Sequence, residues 1–300
     1  MHLRGSICAL VTPFHGHGEI DPQQLKALIE WQVGAGTAAL VIAGSTGEAA
    51  LLDDEEYSDL LAIAVDAAAG RVPIIAGIGS PSTRKSLALA RRASAAGCAA
   101  LLAVTPYYVR PTQAGLDAHY RLLADDGGLP LILYNVPART GSDLLPATVA
   151  GLALHDNIVG IKEAVADPQR LLALLRFRSD RFSVFSGDDG SAVEAMLAGA
   201  AGTISVAANV LPCTFAVLCQ LALTGDAAAA RALDQELRGL YRVLGIESNP
   251  IPVKWLLHRS GRIGPQLRLP LQPLAPRLQA EVESHLPAVQ QMESRFAGSV

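Results

Sequence analysis

Several features that would reveal the class of a protein are scarce in this chain of 300 residues. No apolar run reaches the roughly 18 residues that a membrane span needs, and no signal-peptide pattern precedes the first apolar segment. Aromatic residues make up 5% of the chain, and the net charge of -4 comes without the basic blocks that nucleic acids require. We therefore expect a cytoplasmic protein with a small-molecule ligand and with neither a nucleic-acid nor a membrane partner.

Cysteine is also scarce, and its spacing argues against both disulfides and a zinc site. The four cysteines are scattered through apolar segments without Cys-x-x-Cys spacing, so buried free thiols are expected. The histidines of His15-Gly16-His17 have no third ligand nearby, and a solvated loop is predicted there. Asp188-Asp189 is interpreted as a strand-end cap or polar loop, and no metal is expected.

Lysine is rare relative to arginine, which makes one lysine conspicuous. Of the 24 lysines and arginines only four are lysines, and Lys162 ends the apolar run 158–164, which is predicted to be a buried strand. Burial favours the neutral amine, which can attack a carbonyl carbon and form a Schiff base. On this run alone, a strand-end lysine that reaches solvent is the alternative.

What the chain has in abundance is alternation between β-rich and Ala/Leu-rich segments. The helix-length segments carry start signals at Asp21-Pro22, at residues 53–56, at residues 81–83 and at Asp167-Pro168. Strict alternation indicates a parallel sheet, and eight units within about 220 residues favour a closed (β/α)8 TIM barrel of the α/β class. The predicted strands are 7–14, 38–45, 72–78, 99–106, 130–137, 158–164, 182–188 and 202–209.

After the eighth strand the alternation stops. The barrel is predicted to occupy residues 1–224, and a small C-terminal helical region to occupy residues 225–300. The predicted helices beyond the last strand are 212–223, 227–244, 252–260 and 275–297.

In TIM barrels the active site lies at the C-terminal ends of the strands, and two neighbouring strands end unusually here. Alternation places Ile158, Gly160 and Lys162 on one face, which we assign to the interior, with Gly160 leaving room beside the amine. Tyr134, near the end of strand five, is predicted to point inward beside Lys162, where its phenol could shuttle protons. A half-buried core tyrosine is the alternative.

The second and fourth strands also end in polar groups. Gly44-Ser45-Thr46-Gly47-Glu48 offers two hydroxyls and glycine-flanked amides that suit a carboxylate or an oxyanion, although an ordinary βα turn is equally compatible. It is not a P-loop, because no Gly-Lys-Ser/Thr follows. Strand four ends in Thr105-Pro106-Tyr107-Tyr108, which adds two phenols.

Seven short motifs are spread over essentially the whole chain. In chain order they are Val-Thr-Pro-Phe at 11–14, Gly-Ser-Thr-Gly-Glu at 44–48, Thr-Pro-Tyr-Tyr at 105–108, Leu-Tyr-Asn-Val-Pro-Ala-Arg-Thr-Gly at 133–141, Gly-Ile-Lys-Glu at 160–163, Ser-Gly-Asp-Asp at 186–189 and Asn-Pro-Ile-Pro-Val-Lys at 249–254. Each motif alone is unspecific. As an ordered set they resemble the dihydrodipicolinate synthase and N-acetylneuraminate lyase superfamily of pyruvate-dependent, class I aldolase-type enzymes.

The resemblance implies catalytic roles for four residues. Lys162 would form a Schiff base with pyruvate, and Tyr134 would donate and accept protons. Ser45 would relay protons between Tyr134 and Tyr108. In this family that last tyrosine comes from the neighbouring subunit, which implies at least a dimer and, in the family's assembly, a tetramer built as a dimer of dimers.

The resemblance also implies how substrates are held. Amides around Ser45, Thr46 and Gly47 would bind the carboxylate of pyruvate, and Gly187 and Ile204 are further predicted substrate-binding residues. Because the imine with pyruvate itself activates the substrate, no cofactor is expected.

Arg139 and Ser45 bear on the branch of the superfamily. Arg139 matches the arginine with which dihydrodipicolinate synthases hold the carboxylate of aspartate semialdehyde, a group that a guanidinium fork suits. This implies condensation of pyruvate with L-aspartate 4-semialdehyde to 4-hydroxy-tetrahydrodipicolinate, on the route to diaminopimelate and lysine. Ser45 departs from the two threonines usual in that branch and matches neuraminate lyases. An N-acetylneuraminate lyase or keto-deoxy-sugar-acid aldolase is therefore an alternative, and a non-catalytic binding barrel is another.

Feedback inhibition is a further point of comparison with the family. In lysine-inhibited members the feedback site matches Ala49, Ala50, Asp54, Tyr57, Pro81, Lys85 and Tyr107. Lys85 replaces a glutamate and Pro81 replaces an amide side chain, so an ammonium would face the ammonium of the ligand. We expect little inhibition by L-lysine.

Overall fold

Residues 3–298 are described here by a computed structural model of the protein. Eight parallel strands form a closed barrel in chain order, in which the first strand pairs with both the second and the eighth. The predicted TIM barrel is confirmed. The strands are β1 (Gly5–Ala9), β2 (Ala39–Ile42), β3 (Ile74–Gly77), β4 (Ala100–Val104), β5 (Leu131–Asn135), β6 (Ile158–Glu163), β7 (Ser183–Ser186) and β8 (Gly202–Ser205).

Helices surround the barrel and continue beyond its last strand. Three short 3-10 helices, Ala49–Leu51, Asp189–Ser191 and Ala207–Asn209, lie in the loops after β2, β7 and β8. The α-helices are α1 (Pro22–Gly34), α2 (Asp54–Ala68), α3 (Thr83–Ala95), α4 (Gln113–Asp126), α5 (Pro137–Thr140), α6 (Pro146–Leu152), α7 (Pro168–Leu175), α8 (Ala192–Leu197), α9 (Pro212–Thr224), α10 (Ala227–Leu244), α11 (Ile251–Arg259), α12 (Pro276–Glu283) and α13 (Leu286–Phe296).

Four of the helices begin where the sequence signals predict. The carboxylate of Asp21 accepts two N–H groups in the first turn of α1, and Asp53 forms a capping box with Glu56 at the start of α2. Ser82 caps α3 and Asp167 caps α7. Since each helix returns the chain to the start of the next parallel strand, the loops that follow the strands all gather at one end of the barrel.

The strands separate two hydrophobic cores. Val41 and Ile132 belong to the core inside the barrel, whereas their neighbours Leu40 and Leu133 pack in the layer between strands and helices. Because a parallel barrel is covered on both faces, its strands are mostly apolar, and their side chains still alternate in direction. A polar side chain on the inner face is therefore exceptional.

Strand β6 departs from simple alternation. Its pairing with β5 shifts register next to Leu131, so that one extra residue is accommodated as a bulge. Ile158 packs in the outer core, and Val159 packs against the interior. The prediction that Ile158 shares the inner face with Lys162 is therefore wrong, because the bulge changes the alternation between them.

The strands also end earlier than predicted. β1 was expected to continue to Phe14 and ends at Ala9, and β8 was expected to continue to Asn209 and ends at Ser205. The chain after β1 stays buried but bonds to a side chain, since the Val11 N–H donates to Asn209 Oδ1 at 3.0 Å. An apolar, buried sequence does not distinguish these two situations.

The C-terminal region differs from the prediction at one point. The single helix expected over 275–297 is two helices, because Pro287 lies in the first turn of α13 and a proline lacks the N–H that a helix interior requires. The predicted division into residues 1–224 and 225–300 falls in the turn between α9 and α10 and stays a prediction. Its outer limits, residues 1, 2, 299 and 300, lie outside the described residues.

Two smaller observations complete the fold. All four cysteines are free and buried, as predicted. Within residues 3–298, helices both long and apolar enough to cross a membrane are absent.

Candidate active site at the C-terminal end of the barrel

A cavity of about 370 Å³ opens among the loops that follow the strands. Ser45, Tyr134 and Arg139 line it, so three of the predicted site residues come together. Asn249, from the loop before α11, forms part of the opposite wall. The volume suits a small-molecule ligand.

Lys162 does not line this cavity itself but lies on the inner face of β6, next to Tyr134, which does line it. It pairs in register with Tyr134 of β5, and its Nζ lies 4.4 Å from the centroid of the Tyr134 ring. Both residues are buried, with 5% and 7% of their surface exposed. The amine thus lies against a phenol inside the barrel. The alternative, a lysine that reaches solvent, is wrong.

Glycines determine the space around the amine, although not the glycine that was predicted. A Cβ at Gly160 would lie 2.6 Å from the Ser183 carbonyl oxygen and 3.3 Å from the Phe185 ring, so Gly160 makes room for β7. A Cβ at Gly187 would lie 2.9 Å from both Cγ and Cε of Lys162. Gly187, after β7, is therefore the glycine that leaves room for the lysine side chain, and the role predicted for Gly160 is wrong.

A buried polar network fixes the ends of β5 and β6 behind Lys162 and Tyr134. Glu163 accepts hydrogen bonds from Asn135 Nδ2 at 3.1 Å and from Arg170 Nε at 2.7 Å. Arg170 also binds Asp143 in the loop after β5. Burial raises the pKa of Glu163, and the bonds from Arg170 oppose that shift. Residues adjacent in sequence to the two predicted catalytic groups thus lock their strands together.

The turn after β2 presents free backbone donors. The Gly47 N–H already donates to the Gly44 carbonyl at 3.0 Å. Among residues 3–298, by contrast, no protein atom accepts from the N–H of Ser45 or Thr46. Two adjacent, unoccupied N–H groups beside a cavity can bind an oxyanion or a carboxylate. Gly47, by contrast, takes part in the internal bonding of the turn.

Asn249 connects the two sides of the cavity and was not assigned a role from sequence. Its Nδ2 donates to Thr46 Oγ1 at 2.9 Å, and its carbonyl accepts from Arg139 Nη2 at 2.8 Å. Its Oδ1 is buried, and no hydrogen-bond donor within the described part of the chain reaches it. The only sequence signal was the motif at 249–254.

The neighbouring ion pair was also missed. Glu48, at the end of the strand-two turn, pairs with Lys254 of α11 at 2.6 Å, and both side chains are completely buried. They are separated by 206 residues in sequence. The sequence showed Lys254 only as one of the few lysines and as the last residue of the motif at 249–254, without a partner.

The remaining predicted site residues lie outside the cavity wall. Ile204 is fully buried in the inner core, and Tyr108 is 91% exposed with a left-handed φ of 71°. An exposed tyrosine held in an uncommon backbone conformation is compatible with a role across a subunit interface. Within one chain Tyr108 therefore lies at the surface and does not line the cavity with Tyr134.

The acidic and histidine residues that were considered as metal ligands have bonding partners within the protein. Asp188 accepts the Ser191 N–H at 2.9 Å, and Asp189 accepts the Ala207 N–H at 2.8 Å, so both act as caps, as interpreted from sequence. His15 is half exposed and pairs with Asp21 at 3.2 Å. In the described part of the chain, no cluster of three or more His, Cys, Asp or Glu side chains could hold a metal ion.

Comparisons with known proteins agree over nearly the whole length. Residues 2–289 match the model of the dihydrodipicolinate synthetase family. The chain is 57% identical to the 4-hydroxy-tetrahydrodipicolinate synthase of Xanthomonas axonopodis pv. citri over 92% of its length and 91% of the relative.

Solved structures give the same result. The chloride-inhibited dihydrodipicolinate synthase of Acinetobacter baumannii, complexed with pyruvate, superposes with a TM-score of 0.92 at 43% identity, covering 97% of this chain and 99% of that one. A structure described as the first monomeric dihydrodipicolinate synthase variant superposes with a TM-score of 0.93 at 36% identity, covering 98% and 97%.

Proposed function

The chain belongs to the dihydrodipicolinate synthetase family, and we propose that it condenses pyruvate with L-aspartate 4-semialdehyde to 4-hydroxy-tetrahydrodipicolinate through an imine on Lys162. It is a lyase of lysine and diaminopimelate biosynthesis. The relatives support the synthase and not the sugar-acid lyase that Ser45 left open. The observation that carries the proposed mechanism is the buried amine of Lys162, 4.4 Å from the Tyr134 ring at the C-terminal end of the barrel.

The reaction begins at the amine. The amine of Lys162 attacks the keto carbon of pyruvate, water leaves, and a protonated imine remains. Loss of a proton from the methyl group then gives an enamine, because the iminium withdraws electrons from that carbon. The phenol of Tyr134, next to Lys162, exchanges these protons, and Ser45 and the partner subunit's Tyr108 relay them onward.

The second substrate completes the carbon skeleton. The enamine carbon attacks the aldehyde carbon, a C–C bond forms, and the aldehyde oxygen takes up a proton as a hydroxyl. The amino group of the semialdehyde then attacks the imine carbon, closes the ring and releases Lys162 as the free amine. One water is lost overall, at imine formation.

Two sites hold the carboxylates of the substrates. The free N–H groups of Ser45 and Thr46 bind the carboxylate of pyruvate, and the guanidinium of Arg139 binds that of the semialdehyde. Ser45 and Arg139 line one cavity, as two substrates about to be joined require. A solved relative is in complex with pyruvate, which supports pyruvate as a ligand. Gly187 leaves room for the side chain of Lys162, and Ile204 packs in the core inside the barrel.

Assembly and surroundings follow from the same chemistry. Tyr108 can serve a relay only in a partner's site, so the enzyme is at least a dimer and, by family resemblance, a tetramer built as a dimer of dimers. The imine replaces a cofactor. We place the enzyme in the cytoplasm, because both substrates are metabolites of amino-acid biosynthesis.

We also propose that L-lysine inhibits this enzyme weakly. A small cavity of about 50 Å³ is lined by Ala49, Ala50, Asp54, Tyr57, Lys85 and Tyr107, six of the seven positions that match the feedback site. The ammonium of Lys85 at this cavity repels the ammonium of the ligand. Strong inhibition by sub-millimolar L-lysine in a steady-state assay would contradict this.

Borohydride reduction in the presence of pyruvate tests the imine directly. A reduced pyruvate adduct should appear on the peptide that contains Lys162 and should be absent from Lys162→Met. Lys26→Met is the matched control, because Lys26 is a surface lysine paired with Asp66, and its adduct should match that of the wild type. Turnover of aspartate semialdehyde, compared with cleavage of sugar acids, tests the second substrate. An adduct on another lysine, or none, would refute the mechanism.

A further inference from the structure

The most completely buried charges in the described part of the chain belong to Glu48 and Lys254. Their side chains have no exposed surface, and Oε1 of Glu48 lies 2.6 Å from Nζ of Lys254. The second carboxylate oxygen accepts the backbone N–H of Arg268 at 3.0 Å, and Lys254 Nζ also donates to the Thr12 carbonyl at 2.9 Å. Every strong partner of the pair is thus a group of the protein.

Stability alone is a poor explanation for this pair. Burial lowers the pKa of Lys254, and the carboxylate of Glu48 opposes that shift. The cost of removing two charges from water largely cancels their attraction, so apolar residues of similar size usually stabilise a core at least as well. The position of the pair is more informative.

Glu48 ends the turn that carries the free N–H groups of Ser45 and Thr46. Its backbone lies in the left-handed region, with a φ of 57°, which costs a non-glycine residue free energy. Its N–H donates to the Ser45 carbonyl at 3.3 Å, and the preceding Gly47 carbonyl accepts from Thr12 Oγ1 at 2.7 Å. The ion pair therefore anchors a strained residue that closes the turn.

We propose that the Glu48–Lys254 pair is a positioning device, which holds the strand-two turn so that the N–H groups of Ser45 and Thr46 stay available to the carboxylate of a 2-oxo acid. Glu48 and Lys254 are positioning residues: Glu48 belongs to the cavity wall, but both side chains are completely buried and bonded to groups of the protein. The inference rests on the proposed function and adds two residues to it. It also explains why α11 is joined to the barrel by charges.

The test follows pyruvate alone. Glu48→Gln keeps the shape and a hydrogen bond but removes the charge, and Lys254→Met removes the ammonium. In each variant the pyruvate concentration for half-maximal borohydride trapping on Lys162 should rise about tenfold, as expected when a charge-assisted hydrogen bond weakens. The double variant should show no further increase, because both changes release the same turn. Trapping at saturating pyruvate and the KM for the semialdehyde should stay within about twofold of wild type.

A matched control separates positioning from loss of stability. Leu123→Ala removes a fully buried side chain from the last turn of α4, at the opposite end of the barrel. It should lower the melting temperature and leave the half-saturating pyruvate concentration unchanged. If Lys254→Met does not fold, Glu48→Gln alone decides the matter.

The possible failures are distinguishable. Wild-type protein without an adduct on Lys162 overturns the proposed function and this inference with it. Wild-type trapping combined with unchanged half-saturation in Glu48→Gln overturns the inference only. A shift in Leu123→Ala as large as that in Glu48→Gln would likewise overturn it, because the effect would then be general destabilisation.

Discussion

Lys162 and Lys254 are both buried, with 5% and 1% of their surfaces exposed, but their surroundings are opposite. Lys254 is joined to a carboxylate and a carbonyl oxygen. Within residues 3–298, Lys162 has no carboxylate within 4 Å and no hydrogen-bond acceptor, and its amine faces the ring of Tyr134. The same side chain is thus an anchor where a carboxylate compensates its charge, and in the proposed mechanism it is a nucleophile where no such partner is present.

Removal of the amine at Lys162 or at Lys254 should have opposite effects on turnover and on stability. Lys162→Met should lower kcat at least about 1,000-fold, since no other group can form the imine. Its melting temperature should not fall, because the amine makes no bond that the fold loses. Steady-state turnover and thermal unfolding of the purified variant provide the two readouts. Residual activity above one per cent of wild type would place the imine elsewhere.

Lys254→Met should have the opposite profile. It leaves the Glu48 carboxylate buried without its counter-ion, so the free energy of unfolding should fall by about 3–5 kcal/mol. At saturating pyruvate the adduct on Lys162 should still form. Urea denaturation of the variant and wild type measures the loss.

The double variant Glu48→Gln, Lys254→Met sharpens this result. Because no unpaired charge remains, it should recover most of the lost stability and unfold within about 2 kcal/mol of wild type. A double variant as unstable as Lys254→Met would mean that packing, and not charge, dominates at this site.

The two regions also differ in how far they could be predicted. Lys162 and Tyr134 each end an apolar strand, and neighbouring parallel strands bring their ends together, so local pattern and barrel geometry were sufficient. Glu48 and Lys254 lie 206 residues apart, and no local pattern relates a βα turn to a helix beyond the barrel. Ile158 shows the same limit inside the barrel. Its direction depends on a bulge that forms only when β6 pairs with β5.

His119 supplies a third buried base for the comparison. Its Nδ1 bonds to Thr83 Oγ1 at 2.8 Å, no carboxylate of the described chain lies within 4 Å, and burial lowers its pKa to about 4. The unfolded chain takes up this proton near pH 6.5, whereas the folded chain does not until about pH 4. The stability that His119 contributes is thus complete above pH 6.5 and is lost as the pH falls towards 4.

Through this linkage, lowering the pH from 7 to 5 should decrease the free energy of unfolding by about 2 kcal/mol. Urea midpoints at the two pH values, compared between wild type and His119→Gln, isolate the effect, because the other titrating groups are common to both. The glutamine variant should lose less stability on acidification. Equal losses would show that His119 is protonated in the folded protein, and that burial without a counter-ion does not keep a base neutral in this barrel.

Arg139 lies where the two regions meet, because its guanidinium lines the cavity and donates to the Asn249 carbonyl in the C-terminal wall. Arg139→Ala should raise the KM for aspartate semialdehyde about tenfold, since Arg139 is exposed and an exposed guanidinium contributes at the lower end for charged hydrogen bonds. In the proposed mechanism the strand-two turn, and not Arg139, holds pyruvate, so the half-saturating pyruvate concentration for borohydride trapping should not change. Arg176→Ala, an exposed arginine at the other end of the barrel, should alter neither value. A higher half-saturating pyruvate concentration in Arg139→Ala would instead mean that Arg139 acts on pyruvate through Asn249 and Thr46. The two carboxylates would then not be held by two independent sites.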